Sequence, residues 1–166
     1  MLKVFRAQSH ELPSNTIRFA LASRSAMIRR STLYQLSVAQ LAEYQYLLPE
    51  LLKDDSKGVR QFAQFYLTKT RPRENVLAQY ETLLSHPSTP ARLVSVAIQG
   101  FHECGGKWPV ERYEFMAKHV STRVRQTIMI AFGSVWFEEA LPWIRSVLES
   151  PNDSPLTKTA YFLVRR

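Results

Sequence analysis

Apolar positions along the chain recur at helical spacing and are interrupted at regular intervals by short polar stretches. The segment "LPELLKDDSKGVRQFAQFYL", residues 48–67, has an apolar stretch, two aspartates, a polar break and a second apolar stretch. Stretches with the same periodicity precede such breaks at residues 39–53, 74–85, 109–120 and 137–150. Apolar residues at intervals of three and four predict amphipathic helices, and the polar residues and prolines between them predict turns. The pattern therefore predicts an all-α chain of paired helices with no sheet.

The helix pairs repeat at a nearly constant interval. A basic residue, the anchor, recurs near the start of each second helix at spacings of 31, 32, 33 and 33 residues: Arg29, Arg60, Arg92, Arg125 and Lys158. A residue that can form hydrogen bonds at a helix end, the companion, lies six positions before each anchor: Ser23, Asp54, His86, His119 and Asn152. A fixed period of this length is typical of helical repeats, in which neighbouring hairpins stack because one hairpin cannot bury its apolar face alone.

Residues 48–67 resemble a HEAT repeat, a helical hairpin with a proline in the first helix, an Asp in the turn and a Val-Arg pair opening the second helix. Here these residues are Pro49, Asp54, Val59 and Arg60. The resemblance implies a right-handed α-solenoid of about five HEAT-like helical hairpins over residues 14–166. Residues 1–13 would then be an N-terminal cap or the remnant of a preceding unit. First helices would lie on the convex side, and second helices would line the concave side.

In the HEAT family the turn Asp and the Arg commonly form a ladder between neighbouring copies. The resemblance therefore implies a structural ladder in this chain that involves Asp54, Arg29, Arg60, Arg92 and Arg125. Three of the four arginines have Ser or His in place of the Asp companion. We therefore expect those three arginines to be freer than is usual in the family. As an alternative, the same arginines would form a row of positive charges on the concave side that binds a phosphate backbone.

Composition and charge narrow the class of protein. The chain has 166 residues, about one domain, with 45% hydrophobic and 22% charged residues, which is ordinary for a globular protein. The single cysteine, Cys104, cannot form an internal disulfide, and neither a secretory leader nor a membrane span is evident. We therefore expect a cytoplasmic location. A soluble domain cut from a longer chain remains an alternative.

Candidate catalytic chemistry is sparse. The common nucleotide-binding, metalloprotease and hydrolase motifs are absent from the sequence. In "HECGG", His102 and Cys104 lie two apart and so point to different sides of a helix, and the glycines that follow predict a helix stop. His86 and His119 occupy equivalent turn positions, where a metal site is the less favoured interpretation. The sequence therefore predicts no enzyme, no cofactor and no metal.

One enzymatic alternative rests on residue types alone. Trp136 and Trp143 lie seven apart on one predicted helix, with Asp153 nearby. Tryptophans with an aspartate are similar to the damaged-base site of bacterial DNA glycosylases built from HEAT-like repeats. These tryptophans fall on a predicted first helix, away from the concave side, so a core between repeats explains them better. A HEAT-like DNA glycosylase is thus the least favoured function.

Two kinds of partner surface remain. Positions one, four, five and eight after each anchor form a helical stripe that is largely apolar, which is typical of a protein-partner site. Its candidate partner-binding residues are Tyr34, Phe65, Val96, Met129 and Phe162. Packing between neighbouring repeats is the alternative that would bury this stripe. We therefore expect a non-catalytic scaffold or adaptor that binds a protein or peptide through its concave or end surface, with no small-molecule substrate.

The second kind of partner surface is basic. The net charge of +8 supports it, because residues 1–30 alone carry +5. A basic end can bind nucleic acid or an acidic partner. The cations outside the anchor positions are the candidates for this alternative function: Lys3, Arg6, Arg18, Arg24 and Arg30. A solvated basic surface with no ligand is the simpler interpretation of the same residues.

Overall fold

The computed structural model describes residues 14–36 and 43–165, and in that part the chain is entirely helical, which confirms the all-α prediction. The predicted cap at residues 1–13 lies outside the described residues. A short 3₁₀ turn at Gln45–Leu47 leads into the third helix. The α-helices are α1 (Ser14–Leu21), α2 (Ala26–Gln35), α3 (Leu48–Leu51), α4 (Lys57–Thr70), α5 (Arg73–Ser85), α6 (Ala91–Glu103), α7 (Val110–Met116), α8 (Thr122–Val135), α9 (Phe137–Glu149) and α10 (Ser154–Val164).

The helices pack in consecutive pairs. Each odd-numbered helix contacts the even-numbered helix that follows it, from α1 with α2 to α9 with α10. The even-numbered helices also contact one another in chain order, so that α2, α4, α6, α8 and α10 form a series. One connected hydrophobic core runs through these contacts, and it includes Leu33, Val59, Ile98, Ile128 and Ile144. A helix inside the series is therefore covered on several sides.

The helix ends follow from local sequence. Pro90 is the N-cap of α6, and Pro155 lies at the start of α10, where a missing N–H costs no helical hydrogen bond. Helix α6 stops at "CGG", where Gly105 has a φ of 77°. The Gly105 N–H donates to the His102 carbonyl at 2.8 Å, and the Gly106 N–H donates to the Phe101 carbonyl at 2.8 Å. The predicted helix stop is confirmed.

The six-residue spacing between companion and anchor has a direct structural cause. The anchor guanidinium folds back over the turn and donates to the backbone carbonyl of its companion, from Arg29 to Ser23 at 2.6 Å and from Arg60 to Asp54 at 2.8 Å. Arg125 makes the same bond to His119 at 2.8 Å. Because the acceptor is a backbone carbonyl, the side chain of the companion is free to vary.

The companion side chain has its own task in the turn. The Ser23 hydroxyl, the Asp54 carboxylate and the His119 imidazole Nδ1 each accept a hydrogen bond from the backbone N–H two residues further on. The distances from N to the acceptor atom are 3.2, 2.8 and 3.0 Å, respectively. All three side chains can accept a hydrogen bond, which explains why Ser, Asp and His are interchangeable here.

Each of the four anchor arginines is paired with a carboxylate, so the absence of an Asp companion leaves none of them without an acidic partner. Arg29 binds Asp54 of the next pair through two bonds of 2.6 and 2.8 Å, and this hydrogen bond raises the pKa of Arg29. The remaining partners come from positions that the repeat pattern did not single out. They are Glu103 for Arg60 at 2.7 Å, Asp55 for Arg92 at 2.8 Å and Asp153 for Arg125 at 2.7 Å.

Arg60 is the most completely bonded of these arginines. It is 1% exposed, and its guanidinium makes five hydrogen bonds, two to Glu103 and one each to the Gln99 side chain and the carbonyls of Asp54 and Asp55. Five is the full donor capacity of a guanidinium. The bonds join α4, the turn before it and the end of α6, so this residue holds the second and third helix pairs together.

The last pair departs from the predicted register. Asn152 and Lys158 are exposed, whereas Asp153 is the N-cap of α10 and the partner of Arg125. A hydrogen bond from the Thr122 hydroxyl, followed by one from Arg125, lowers the pKa of Asp153. The repeat pattern placed the companion one residue too early, because the polar run "NDS" offers three residues that can cap a helix.

His102 is half-buried beside α7. Its imidazole Nδ1 is 2.9 Å from the Gly106 carbonyl, so Nδ1 carries the proton and the neutral ring faces Tyr113 in a stacked pair at 5.6 Å. Burial is the main cause that lowers the pKa of His102. The ring therefore remains neutral, which agrees with the structural interpretation of "HECGG".

Candidate partner-binding groove

A groove runs between α2 and α4, the second helices of the first two pairs. It holds two cavities of about 430 and 210 Å³ that both border Arg30 and Phe62. The larger cavity is lined by Ala26, Met27, Arg30, Ser31, Tyr34, Gln35, Ser56 and Phe62, and the smaller by Arg30, Gly58, Gln61, Phe62 and Phe65. We call this surface the α2–α4 groove. Its walls combine aromatic side chains with one charged group.

The aromatic side chains of the groove are fixed by one another. The Tyr34 ring meets the Phe62 ring edge to face, with centroids 6.0 Å apart, and Phe62 stacks on Tyr66 at 6.3 Å. Phe65 meets Tyr66 edge to face at 5.3 Å, and the Lys69 ammonium lies 4.4 Å from the Phe65 centroid. Rings in such geometry lose little further freedom when a ligand binds.

The two helices are joined beneath the groove. The Tyr66 hydroxyl donates to the Leu33 carbonyl at 3.2 Å. Burial raises the pKa of Tyr66, so the phenol keeps its proton and remains a donor near neutral pH. This bond connects α4 to the backbone of α2 and sets the distance between the walls.

The Arg30 side chain lies against α4 at Gly58. A Cβ at Gly58 would come within 3.0 Å of Arg30 Cδ and 3.2 Å of its Nε. The absence of that Cβ lets the arginine stem lie against the helix, between the two cavities. Among the residues that the structure describes, none forms a hydrogen bond or an ion pair with the Arg30 guanidinium.

None of the described residues that line these cavities carries a carboxylate. The nearest acids in sequence are engaged elsewhere, Asp54 with Arg29 and Asp55 with Arg92. Arg30 is therefore the charge that a ligand in the groove meets first. The exposed Lys57, beside Gly58 at the start of α4, adds a further positive charge nearby.

The structure separates the five predicted partner-binding residues. Tyr34 and Phe65 are 66% and 51% exposed, and both line the α2–α4 groove. Phe162 is exposed on α10, at the other end of the helix series. Val96 and Met129 are 2% and 0% exposed, so their assignment to a partner-binding surface is wrong.

The burial of Val96 and Met129 follows from their place in the helix series. Both lie four residues after an anchor, and the equivalent Leu33 and Gln64 are buried too. Helices α6 and α8 each pack between two other even-numbered helices, which cover this position. The exposed position is the fifth after the anchor in three pairs, as Tyr34 and Phe65 illustrate. The predicted stripe thus combined a packing row, whose side chains contact neighbouring helices, with an open row, whose side chains are exposed to solvent.

The predicted basic cluster is also divided. Lys3 and Arg6 lie outside the described residues. Arg18 borders a third cavity, of about 460 Å³, beside Tyr46 and Glu50, whereas Arg30 lies in the α2–α4 groove. Arg24 is exposed in the turn before α2. These cations do not line one common cavity.

The remaining candidate residues for chemistry are engaged in local contacts. The His86 Nδ1 is 2.9 Å from the Ser88 hydroxyl, and His119 accepts the Ser121 N–H, as described above. Trp136 lies between α8 and α9, not on a helix, and its indole N–H donates to the Trp108 carbonyl at 3.1 Å. Asp153, the acid of the glycosylase alternative, is bonded to Thr122 and Arg125.

Sequence reasoning missed Met27, Gly58 and Phe62 as groove residues. Met27 and Phe62 each lie two residues from an anchor, outside the predicted stripe, and the role of Gly58 depends on the path of a side chain from another repeat.

No family model matches the chain, and no curated protein and no solved structure matches it either. In the described residues, no helix has both the length and the apolar character to cross a membrane.

Proposed function

We propose that this protein is a non-catalytic adaptor of HEAT-like architecture that binds a segment of a protein partner in the α2–α4 groove. The proposed architecture is a right-handed α-solenoid of five hairpins. Its support is the consecutive packing of even-numbered helices and the ion pairs that connect neighbouring helix pairs. With its one cysteine buried and unpaired, a cytoplasmic location is part of the proposal.

One observation carries the proposed function. Tyr34 and Phe65, two large aromatic side chains, remain more than half exposed on either side of Arg30, over cavities between two packed helices. Aromatic residues and arginine contribute most of the binding energy in protein interfaces, especially beside pockets that a partner can fill. A groove with rigid aromatic walls and a central arginine fits that description.

The nucleic-acid alternative has weaker support. A backbone-binding surface needs cations aligned along the path of the phosphates. Arg18 and Arg30 border different cavities, and the guanidinium groups of Arg29, Arg60 and Arg125 are bonded to carboxylates. The groove offers apolar walls around a single arginine, an arrangement better suited to a protein segment.

The proposal predicts that the groove is needed to retain a partner. In quantitative affinity purification from the cells that make the protein, Y34A/F65A should lose at least one protein that the wild type retains. Two exposed aromatic residues on α7 and α10 give the matched control variant, F115A/Y161A, which should retain it. Because all four side chains are exposed, neither variant should unfold. Equal retention by all three proteins, or equal loss from both variants, would contradict the proposed site.

A further inference from the structure

The charge of the α2–α4 groove limits what can occupy it. Among the described residues that line its two cavities, Arg30 is the only charged one. Lys57 at the start of α4 and Lys69 over Phe65 add positive charge beside the groove. A basic segment in this site would bring its charges against Arg30 with no carboxylate in the walls to compensate. Charge complementarity therefore favours an acidic occupant.

The position of Arg30 indicates where its guanidinium would bind a carboxylate of that occupant. The stem of the side chain lies against Gly58, and the residue borders both cavities. A guanidinium can bind one carboxylate through two parallel hydrogen bonds. With its charge satisfied there, a ligand can place one apolar side chain in the cavity beside Tyr34 and another in the cavity beside Phe65.

An amphipathic helix presents side chains in this arrangement. Residues three or four apart lie on one face of a helix, so a carboxylate between two apolar residues can face Arg30 while the apolar residues enter the cavities. The walls of the groove are themselves two neighbouring helices, α2 and α4, between which a third helix can lie.

The aromatic geometry disfavours single-stranded nucleic acid. Bases bind such surfaces by stacking on open ring faces. In the groove, Lys69 lies over the Phe65 ring, and Phe62 is stacked on Tyr66 with the Tyr34 ring at right angles to it. These contacts occupy one face of the Phe65 ring and one face of the Phe62 ring, which leaves fewer ring faces open for base stacking.

We infer that the α2–α4 groove binds an acidic amphipathic helical segment of a partner protein, with Arg30 as the residue that selects for the carboxylate. This inference rests on the proposed adaptor function and specifies its partner. Tyr34 and Phe65 would contact the apolar face of the segment, and Gly58 would leave room for the Arg30 side chain between them.

The test is fluorescence anisotropy with three labelled probes. The first is an acidic peptide of about 15 residues, four helical turns, with Leu at intervals of three and four and Glu at the other positions. The second has Lys in place of every Glu, and the third is a single-stranded oligonucleotide. The wild type should bind the acidic peptide at least about tenfold more tightly than the Lys peptide. It should bind the oligonucleotide more weakly than the acidic peptide.

A charge reversal tests the role of Arg30. R30E should weaken binding of the acidic peptide about tenfold and strengthen binding of the Lys peptide, whereas R24E, an exposed control outside both cavities, should change either affinity less than about threefold. Equal affinity for both peptides, equal effects of R30E and R24E, or tighter binding of the oligonucleotide would overturn the inference. If Y34A/F65A still loses a partner in the purification while these outcomes occur, the adaptor function stands and only the acidic partner is wrong.

Discussion

Replacing Arg60 with Met should destabilise the protein by about 3 kcal/mol, because the change breaks a buried ion pair by removing one partner. Met retains most of the aliphatic volume, so the loss is mainly electrostatic. The carboxylate of Glu103, whose side chain is 13% exposed, would lose both of its bonds to Arg60. The carbonyls of Asp54 and Asp55 would each lose the bond that Arg60 donates to them. Urea unfolding followed by circular dichroism measures the free energy of unfolding directly.

The matched control is R92M. Arg92 is also an anchor arginine with an aspartate partner, but the side chains of Arg92 and Asp55 are 49% and 57% exposed. Water already solvates such a pair, so its loss should cost less than about 1 kcal/mol. Similar losses in the free energy of unfolding for R60M and R92M would show that burial and the five hydrogen bonds of Arg60 do not add to its contribution to stability.

Gly100→Ala should destabilise the protein by about 2 kcal/mol, although alanine is the better helix former by about 1 kcal/mol. A Cβ at residue 100 would lie 2.2 Å from Tyr80 Cζ and 2.4 Å from its hydroxyl oxygen. The Tyr80 ring cannot move aside easily, because it is fully buried and its hydroxyl is bonded to both Gln64 and the Leu52 carbonyl. The backbone of α6 would have to move away from α5.

Gly133→Ala is the control within the same helix series. The nearest atom to its added Cβ is Leu163 Cδ1 at 3.3 Å, the end of a flexible side chain. We expect this variant to be unchanged or up to about 1 kcal/mol more stable. The double variant G100A/Y80L should be less destabilised than the sum of its single changes, as measured by a double-mutant cycle in urea. Full additivity of the changes in the free energy of unfolding would mean that steric contact between residues 80 and 100 does not cause the destabilisation.

The sequence specifies the helix pairs well because the same local chemistry recurs in three of the five pairs. Companion and anchor lie six residues apart because an arginine side chain reaches back over the turn to the carbonyl of its companion. This bond is local, so a spacing rule detects it. The carboxylate partners are not local, since Glu103 lies 43 residues from Arg60, and no spacing rule could identify them.

The groove could be predicted only in parts. Tyr34 and Phe65 belonged to a predicted protein-binding stripe. Arg30 lay at the first position of that stripe and was also assigned to a predicted basic cluster, the alternative site. The structure brings these three side chains to one groove. One position on a helix turns the side chain by about 100°, so an error of one residue decides between a packing row and an open row. This is why Met129 was misplaced while Phe65 was not.

The most direct test of the account is site-specific photocrosslinking in living cells, with p-benzoylphenylalanine placed at one residue at a time. Residue 65 reports on the α2–α4 groove, residue 161 on the exposed end surface at α10, and residue 115 on α7. If the partner binds in the α2–α4 groove, we expect a covalent adduct with a partner protein from residue 65 and none from residues 115 and 161. An adduct that forms from residue 161 or 115 but never from residue 65 would place the partner elsewhere and contradict the proposed groove.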